Sequence, residues 1–166
     1  MVEAMKNRLG HELRALATPG PRMADEVACV ISVLLAIALA QYAGARMVSW
    51  AAVSALVLLK SDARETLARG VMRLIGTSAG AGLALLIVPY AAESMALASL
   101  SAAVMGAVGL YGMLTGRRAY AWLLFGLTYE IVLFDKLAFP HLETAELAWT
   151  RLIEVGAGTI ACVIVS

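Results

Sequence analysis

The stretch RGVMRLIGTSAGAGLALLIV, residues 69–88, sets Arg69 and Arg73 one helical turn apart and then carries no further charge. Everything after Arg73 in it is small, aliphatic or a hydroxyl, a composition suited to a helix that leaves water at its basic end and continues through lipid. Gly76 and Gly80 form a Gly-x-x-x-Gly step. Small residues at that spacing let two backbones approach closely, so van der Waals contact replaces the hydrophobic drive that helices lack in a bilayer. Arg73 shares a helix face with Thr77 and Gly80, at i+4 and i+7. It can snorkel to lipid phosphate, cap a neighbouring helix, or meet an anionic substrate.

Around this block the whole chain is apolar. Hydrophobic residues make up 61% of 166, with a mean hydropathy of +0.83. Soluble globular chains hold about 45 to 50%, so the expected partner and solvent is a lipid bilayer. A net charge of +1 gives no reason to expect nucleic acid. Cys29 and Cys162 sit inside apolar runs, which suits small core residues better than a disulfide framework or a zinc site. His11 and His141 lie far apart, without metal-ligand spacing. No nucleotide-binding, hydrolase or cofactor motif occurs, and no nucleophile, base and orienter fall together, so neither an enzyme, a metal nor a cofactor is expected.

The fold class expected is all-α: a polytopic membrane protein with a six-transmembrane-helix bundle over residues 27–166. A cytoplasmic amphipathic segment over residues 1–26 precedes it, with Met5, Leu9, Leu13 and Leu16 at helical spacing among Lys6, Arg8 and Arg14. Pro19, Gly20 and Pro21 break that pattern. The apolar runs then cover residues 27–43, 47–59, 70–90, 95–114, 120–137 and 145–166, with Pro89 closing the third. The sequence Ala38-Leu39-Ala40 before Gln41 mimics a signal-peptidase site, but the leader ahead of it is too long for a cleaved signal, and the run reads as an anchor. The second run is short for a crossing; Arg46 and Lys60 can snorkel from its ends, and Trp50 suits an interface.

Orientation follows from the cations. With the N-terminus cytoplasmic, ten of the thirteen (Lys6, Arg8, Arg14, Arg22, Lys60, Arg64, Arg69, Arg73, Arg117 and Arg118) lie on inner flanks and only Arg46, Lys136 and Arg151 on outer ones. That asymmetry predicts six crossings with both termini in the cytoplasm and supports the short second run as one of them. Ser166 follows an apolar Cys-Val-Ile-Val without a basic flank, an ending expected of a fragment or of a last helix that starts early and finishes at the surface.

Charges at membrane depth carry the functional expectation, because an ionisable group in hydrocarbon costs about 2.5 to 3.5 kcal/mol or more. Glu130 falls roughly 18 Å above the inner start of the fifth helix and Glu154 roughly 13 Å below the outer start of the sixth. Both are therefore expected in the outer half of the slab. Arg151 precedes Glu154 by three residues on one face, at about the level of Asp135. The four can form a polar cluster between helices five and six. It has two readings: a buried ion pair that fixes register, or a pathway in which Glu130 or Glu154 carries protons and Arg151 attracts an organic anion. Gly112 and Gly116 on the fourth helix and Gly156 and Gly158 on the sixth read, like Gly76 and Gly80, as packing positions. Trp122, Phe125 and Tyr129 form a stripe that either packs or lines a path for aromatic substrates.

The pattern Arg73, Gly76, Thr77, Gly80 at the start of a membrane helix resembles the fusaric acid resistance and aromatic acid exporter family of bacterial efflux proteins. SWAAVSALVLLKSDARETLARGVMRLIGTSAGAGLALL (49–86) follows that family's order of a Trp-containing second helix, a polar loop and an Arg-x-x-Gly-Thr block. RRAYAWLLFGLTYEIVL (117–133) and RLIEVGAGTIA (151–161) look like its later segments. The resemblance implies a bacterial inner-membrane protein that exports small organic or aromatic acids using the proton gradient. Larger members resemble two six-helix halves, so this chain is expected to need a second set of six helices, from a homodimer or a further half. A passive organic-anion channel and a non-transporting scaffold remain the alternatives.

Overall fold

The computed structural model describes residues 21–45, 48–58 and 63–166. Among the described residues there are six helices and no strand: α1 Pro21–Tyr42, α2 Val48–Leu58, α3 Ala63–Ala91, α4 Met95–Thr115, α5 Ala119–Ala138 and α6 Thr144–Val165. The amphipathic segment around Met5, Leu9, Leu13 and Leu16 lies outside them, as do Arg46 and Lys60.

Local chemistry sets the helix ends. Pro21 opens α1, where its fixed φ fits the first turn and its missing N–H costs nothing. The other end of α1 closes on Gly44 at φ 77°, with Gly44 N donating to Gln41 O and Ala45 N to Ala40 O. This paired 5→2 and 6→1 closure needs a left-handed residue, which glycine provides without a Cβ penalty. Ser94 caps α4 by accepting from the Leu97 amide at 3.2 Å. Lys136 in the last turn of α5 donates to the carbonyls of Pro140 and Leu142, tying down the turn into α6.

Pro89 lies inside α3 rather than ending it; the helix runs two residues further. A proline so near a C-terminus removes one amide from a ladder already finishing, which a membrane helix tolerates. At 29 residues α3 is roughly 43 Å long, more than a hydrocarbon slab of about 30 Å. Its first turns are accordingly water-type helix, with an exposed Glu65–Arg69 bridge of 2.8 Å.

Among the described residues four helices are long and apolar enough to cross a membrane: Asp25–Tyr42, Arg64–Ala91, Met95–Thr115 and Thr144–Val165. The eleven residues of α2 are too few, and α5 carries Glu130, Asp135 and Lys136.

Packing does not follow chain order. α4 lies on α5, α5 makes its most extensive pairing with α3, α3 meets α6, and α6 holds both α1 and α2. One apolar cluster joins Ala81, Ala84 and Val88 of α3 to Tyr129, Val132 and Leu133 of α5 and Leu147 and Ala148 of α6. A second joins Ala36 and Ala40 of α1, Ala51, Ala55 and Leu58 of α2, and Ala157, Ala161 and Cys162 of α6. The last helix is thus the seam of the bundle, its first half in one cluster and its second half in the other.

Glycines set the closest approaches. A Cβ at Gly76 would lie 2.3 Å from Ala121 O, and one at Gly80 2.4 Å from Phe125 O, so α3 and α5 run side by side in the same direction with their backbones touching. Gly109 meets Gly126, and Gly112 and Gly116 lie under the Trp122 ring, which packs α4 against α5 in the opposite direction. Gly158 meets Ser54 and Ala51 of α2. Gly156 faces open space, so the small-residue pattern of α6 makes contact only through Gly158.

Candidate functional site

Arg151 is a buried charge with partners on three helices. From the second turn of α6 its Nη1 donates to Glu154 Oε2 at 2.9 Å, and its Nη2 to Asp135 Oδ2 of α5 at 2.6 Å. The same guanidinium lies 5.2 Å over the ring of Trp50, on α2. Three helices that are not all neighbours in sequence therefore converge on one side chain. The i, i+3 spacing on α6 puts Arg151 and Glu154 on one face, and the end of α5 brings Asp135 to the same level. Exposure differs in a way that matters: the side chains of Arg151 and Glu154 are 5% and 0% exposed, whereas Asp135 is 19% exposed.

Asp135 and Arg151 also form the wall of a cleft of about 310 Å³, lined further by Phe139, His141, Leu142 and Glu146. Phe139 and His141 meet edge to face at 6.3 Å between ring centres. The cleft combines a guanidinium, two carboxylates that reach solvent, Asp135 and Glu146, and two rings. Its volume falls at the lower end of the range for small-molecule sites.

Glu130, expected in the same cluster, stands apart. One of its carboxylate oxygens is buried at the contact of α5 with α4, 3.6 Å from where a Gly106 Cβ would lie, with no hydrogen-bond partner among the described residues. The adjacent Tyr129 is fully buried, and its hydroxyl is likewise without a partner there. Four residues separate Glu130 from the next turn's face, but Asp135 is five residues on, which turns it toward α6 while Glu130 turns toward α4.

Arg73 turns inward rather than snorkelling. At 5% exposure it donates from Nη1 to the Tyr120 hydroxyl at 2.9 Å and from Nη2 to Ser54 Oγ at 3.0 Å, linking α2, α3 and α5. Its partners are neutral hydroxyls. Thr77 is fully buried on the same face, 3.5 Å from Thr128 across the α3–α5 contact. Arg73 and Arg151 therefore occupy different sites, one at the basic end of α3 and one at the start of α6.

The aromatic stripe divides as well. Trp122 and Phe125 meet edge to face at 5.7 Å, with Trp122 40% exposed, while Tyr129 is in the core. Among the described residues no group of three or more His, Cys, Asp or Glu is arranged to hold a metal ion.

Sequence reasoning missed four participants. Trp50 looked like an interfacial anchor, His141 lay in a loop, and Ser54 and Tyr120 carried no charge to draw attention. For His141 the available signal was its position between Asp135 and Arg151, in the turn that joins their helices.

No curated protein and no solved structure matches the chain. A buried arginine held by carboxylates from two helices, inside a bundle of apolar helices joined by glycine contacts, is the setting in which the family comparison is to be read. The model of the fusaric acid resistance protein-like family matches residues 35–165, nearly four-fifths of the chain by length, and the chain belongs to that family of membrane proteins.

Proposed function

We propose that this membrane protein is a subunit of a proton-coupled exporter of small organic or aromatic acids, of the fusaric acid and hydroxybenzoate type, in a bacterial inner membrane. The observation that carries the reading is Arg151, held between two carboxylates at the wall of a cleft with ring-bearing sides. A substrate carboxylate in that cleft competes with Asp135 for Arg151. The substrate anion replaces Asp135 on the guanidinium without leaving a desolvated cation unpaired, while a glutamate at membrane depth, Glu130 or Glu154, carries the proton. Glu154 is enclosed beside Arg151, and Glu130 lies where α5 meets α4.

The proposal includes six crossings with both termini cytoplasmic. Alternating helix directions support it, since α3 and α5 run together and α4 runs against them. It also includes a second set of six helices, provided by a second copy of the chain, to close a pathway alongside the cleft.

The test is efflux of a hydroxybenzoate from loaded inverted or right-side-out vesicles under an imposed pH gradient. Arg151→Gln at normal protein level abolishes export, and Glu130→Gln or Glu154→Gln removes its dependence on the gradient. Undiminished, gradient-driven efflux in Arg151→Gln sinks the reading. A passive anion channel releases the loaded anion down its own gradient with no pH gradient imposed; the pairing of Arg151 with fixed carboxylates speaks for the coupled alternative, because an open anion pore presents its cations to the ion.

A further inference from the structure

Both α3 and α4 pack on α5 but touch each other little, which leaves a furrow between them with α5 as its floor. The furrow has a volume of about 590 Å³. Its floor includes the buried Gly76 and Ala121, its sides include the half-exposed Ile75 and Val108, and the Trp122 and Phe125 rings lie along it. The lining is apolar except at one end, where Arg118 stands.

That end concentrates positive charge. Arg117 and Arg118 are exposed consecutive residues at the α4–α5 turn, and neither makes an ion pair among the described residues. Arg118 is also the N-cap of α5 and provides no side-chain cap. The Ala121 and Trp122 amides bond back to the Arg118 carbonyl, and the amides just before them belong to the first turn of α5, whose N–H groups point toward the N-terminal end of the helix. The Arg118 guanidinium and a helix N-terminus thus stand at the head of an apolar furrow, with the exposed Arg117 next to them in the chain.

We propose that this furrow is a binding site for an anionic phospholipid, with the phosphate on Arg117, Arg118 and the first amides of α5 and one acyl chain laid over Trp122 and Phe125. Charge and shape select this occupant. A zwitterionic lipid fills the furrow but returns a cation to the arginines, and a free inorganic anion answers the arginines but leaves the furrow empty. A second copy docking face to face through this surface sets the same two arginines of each chain at one level, where they repel. Basic positions beside membrane helices are attracted to anionic headgroups, and here the attraction has a seat for the chain as well.

The experiment uses the full chain purified in mild detergent and exposed to equal amounts of phosphatidylglycerol and phosphatidylcholine, with retained lipid counted by native mass spectrometry. One phosphatidylglycerol is retained, preferred roughly thirtyfold if each surface arginine contributes its usual attraction. The double variant R117Q/R118Q loses the preference. Ala79→Phe, which places a ring in the furrow from an exposed position, lowers retention of both lipids. Inorganic phosphate at the same concentration does not displace the lipid. Equal retention of the two lipids by the native chain, a preference that survives R117Q/R118Q, or a dimer that excludes lipid from this face overturns the proposal. Lipid retention untouched by Ala79→Phe overturns the seat of the acyl chain. None of these readouts depends on transport, so they stand or fall apart from the export reading.

Discussion

Arg151 shows how a single residue organises this bundle. A desolvated cation needs charge balance close by, and on α6 Glu154 provides part of it. Asp135 from α5 and the Trp50 ring from α2 complete the setting. Removing one partner from such a group costs about 3 to 5 kcal/mol, because the others stay in low dielectric without it. Arg151→Met therefore lowers the thermal midpoint of the purified protein sharply, and adding Glu154→Gln recovers part of the loss; equal midpoints for the native chain and Arg151→Met contradict this. The glycines make a sharper comparison at the same scale. Gly76→Ala drives a methyl into the Ala121 carbonyl, whereas Gly82 on the same helix has nothing within 4 Å. The expected cost of Gly76→Ala is about 1 to 3 kcal/mol, while Gly82→Ala is neutral or slightly stabilising, both measured by unfolding in detergent.

Among the elements, α6 decides the most. It joins two apolar clusters, and its contact with α2 runs through Gly158, where a Cβ would come within 2.5 Å of Ser54 Cβ and 2.9 Å of Ala51 O. Cys162 lies one turn further along, fully buried, its thiol donating to Ala55 O at 3.1 Å. Gly158→Leu is expected to push α2 away and open that contact. In a Cys29→Ser background, alkylation of Cys162 by a membrane-permeant maleimide is then several-fold faster than in the Gly158 parent; an unchanged rate refutes the seam. The element α5 explains why hydropathy alone undervalues it. Asp135 is used by Arg151 and Lys136 by the following turn, so two of the charges that lower its hydropathy are held by partners inside the fold.

For the whole molecule, the alternation of helix directions has a direct consequence. The turns near Gly44, Glu93 and His141 belong to one end of the bundle and the turn at Arg117 to the other. In the proposed orientation, single cysteines at Glu93 and His141 react with a membrane-impermeant maleimide added outside intact cells, and one at Arg117 reacts only after permeabilisation. Labelling of Glu93 and His141 from opposite sides eliminates the six-crossing arrangement. The burial order has a companion effect: α4, on the rim against α5, frays first in hydrogen exchange, and α6 exchanges last.

Much of this was written in the sequence. Runs of apolar residues located all six helices, four of them to within a residue or two at each end, since hydrophobic length is a local property. α1 and α3 begin six and seven residues earlier, in polar turns that hydropathy does not mark. Arg73, Arg151 and Glu154 drew attention because a charge in such a run is expensive wherever it ends up. Boundaries failed where a proline was read as a stop: Pro21 begins α1, and Pro89 is carried within α3. What tertiary structure alone decided is pairing. The order in which helices pack, α4 on α5 on α3 on α6 with α1 and α2 beyond, is not the chain order, and no periodicity encodes it. The four charges that looked like one cluster became a triad and a separate glutamate because two residues five apart on α5 face different neighbours. Trp50 joined Arg151, and Ser54 and Tyr120 joined Arg73, through contacts between helices distant in sequence. A sequence states which side chains need a partner in lipid; only the packing of helices determines which partner each one gets.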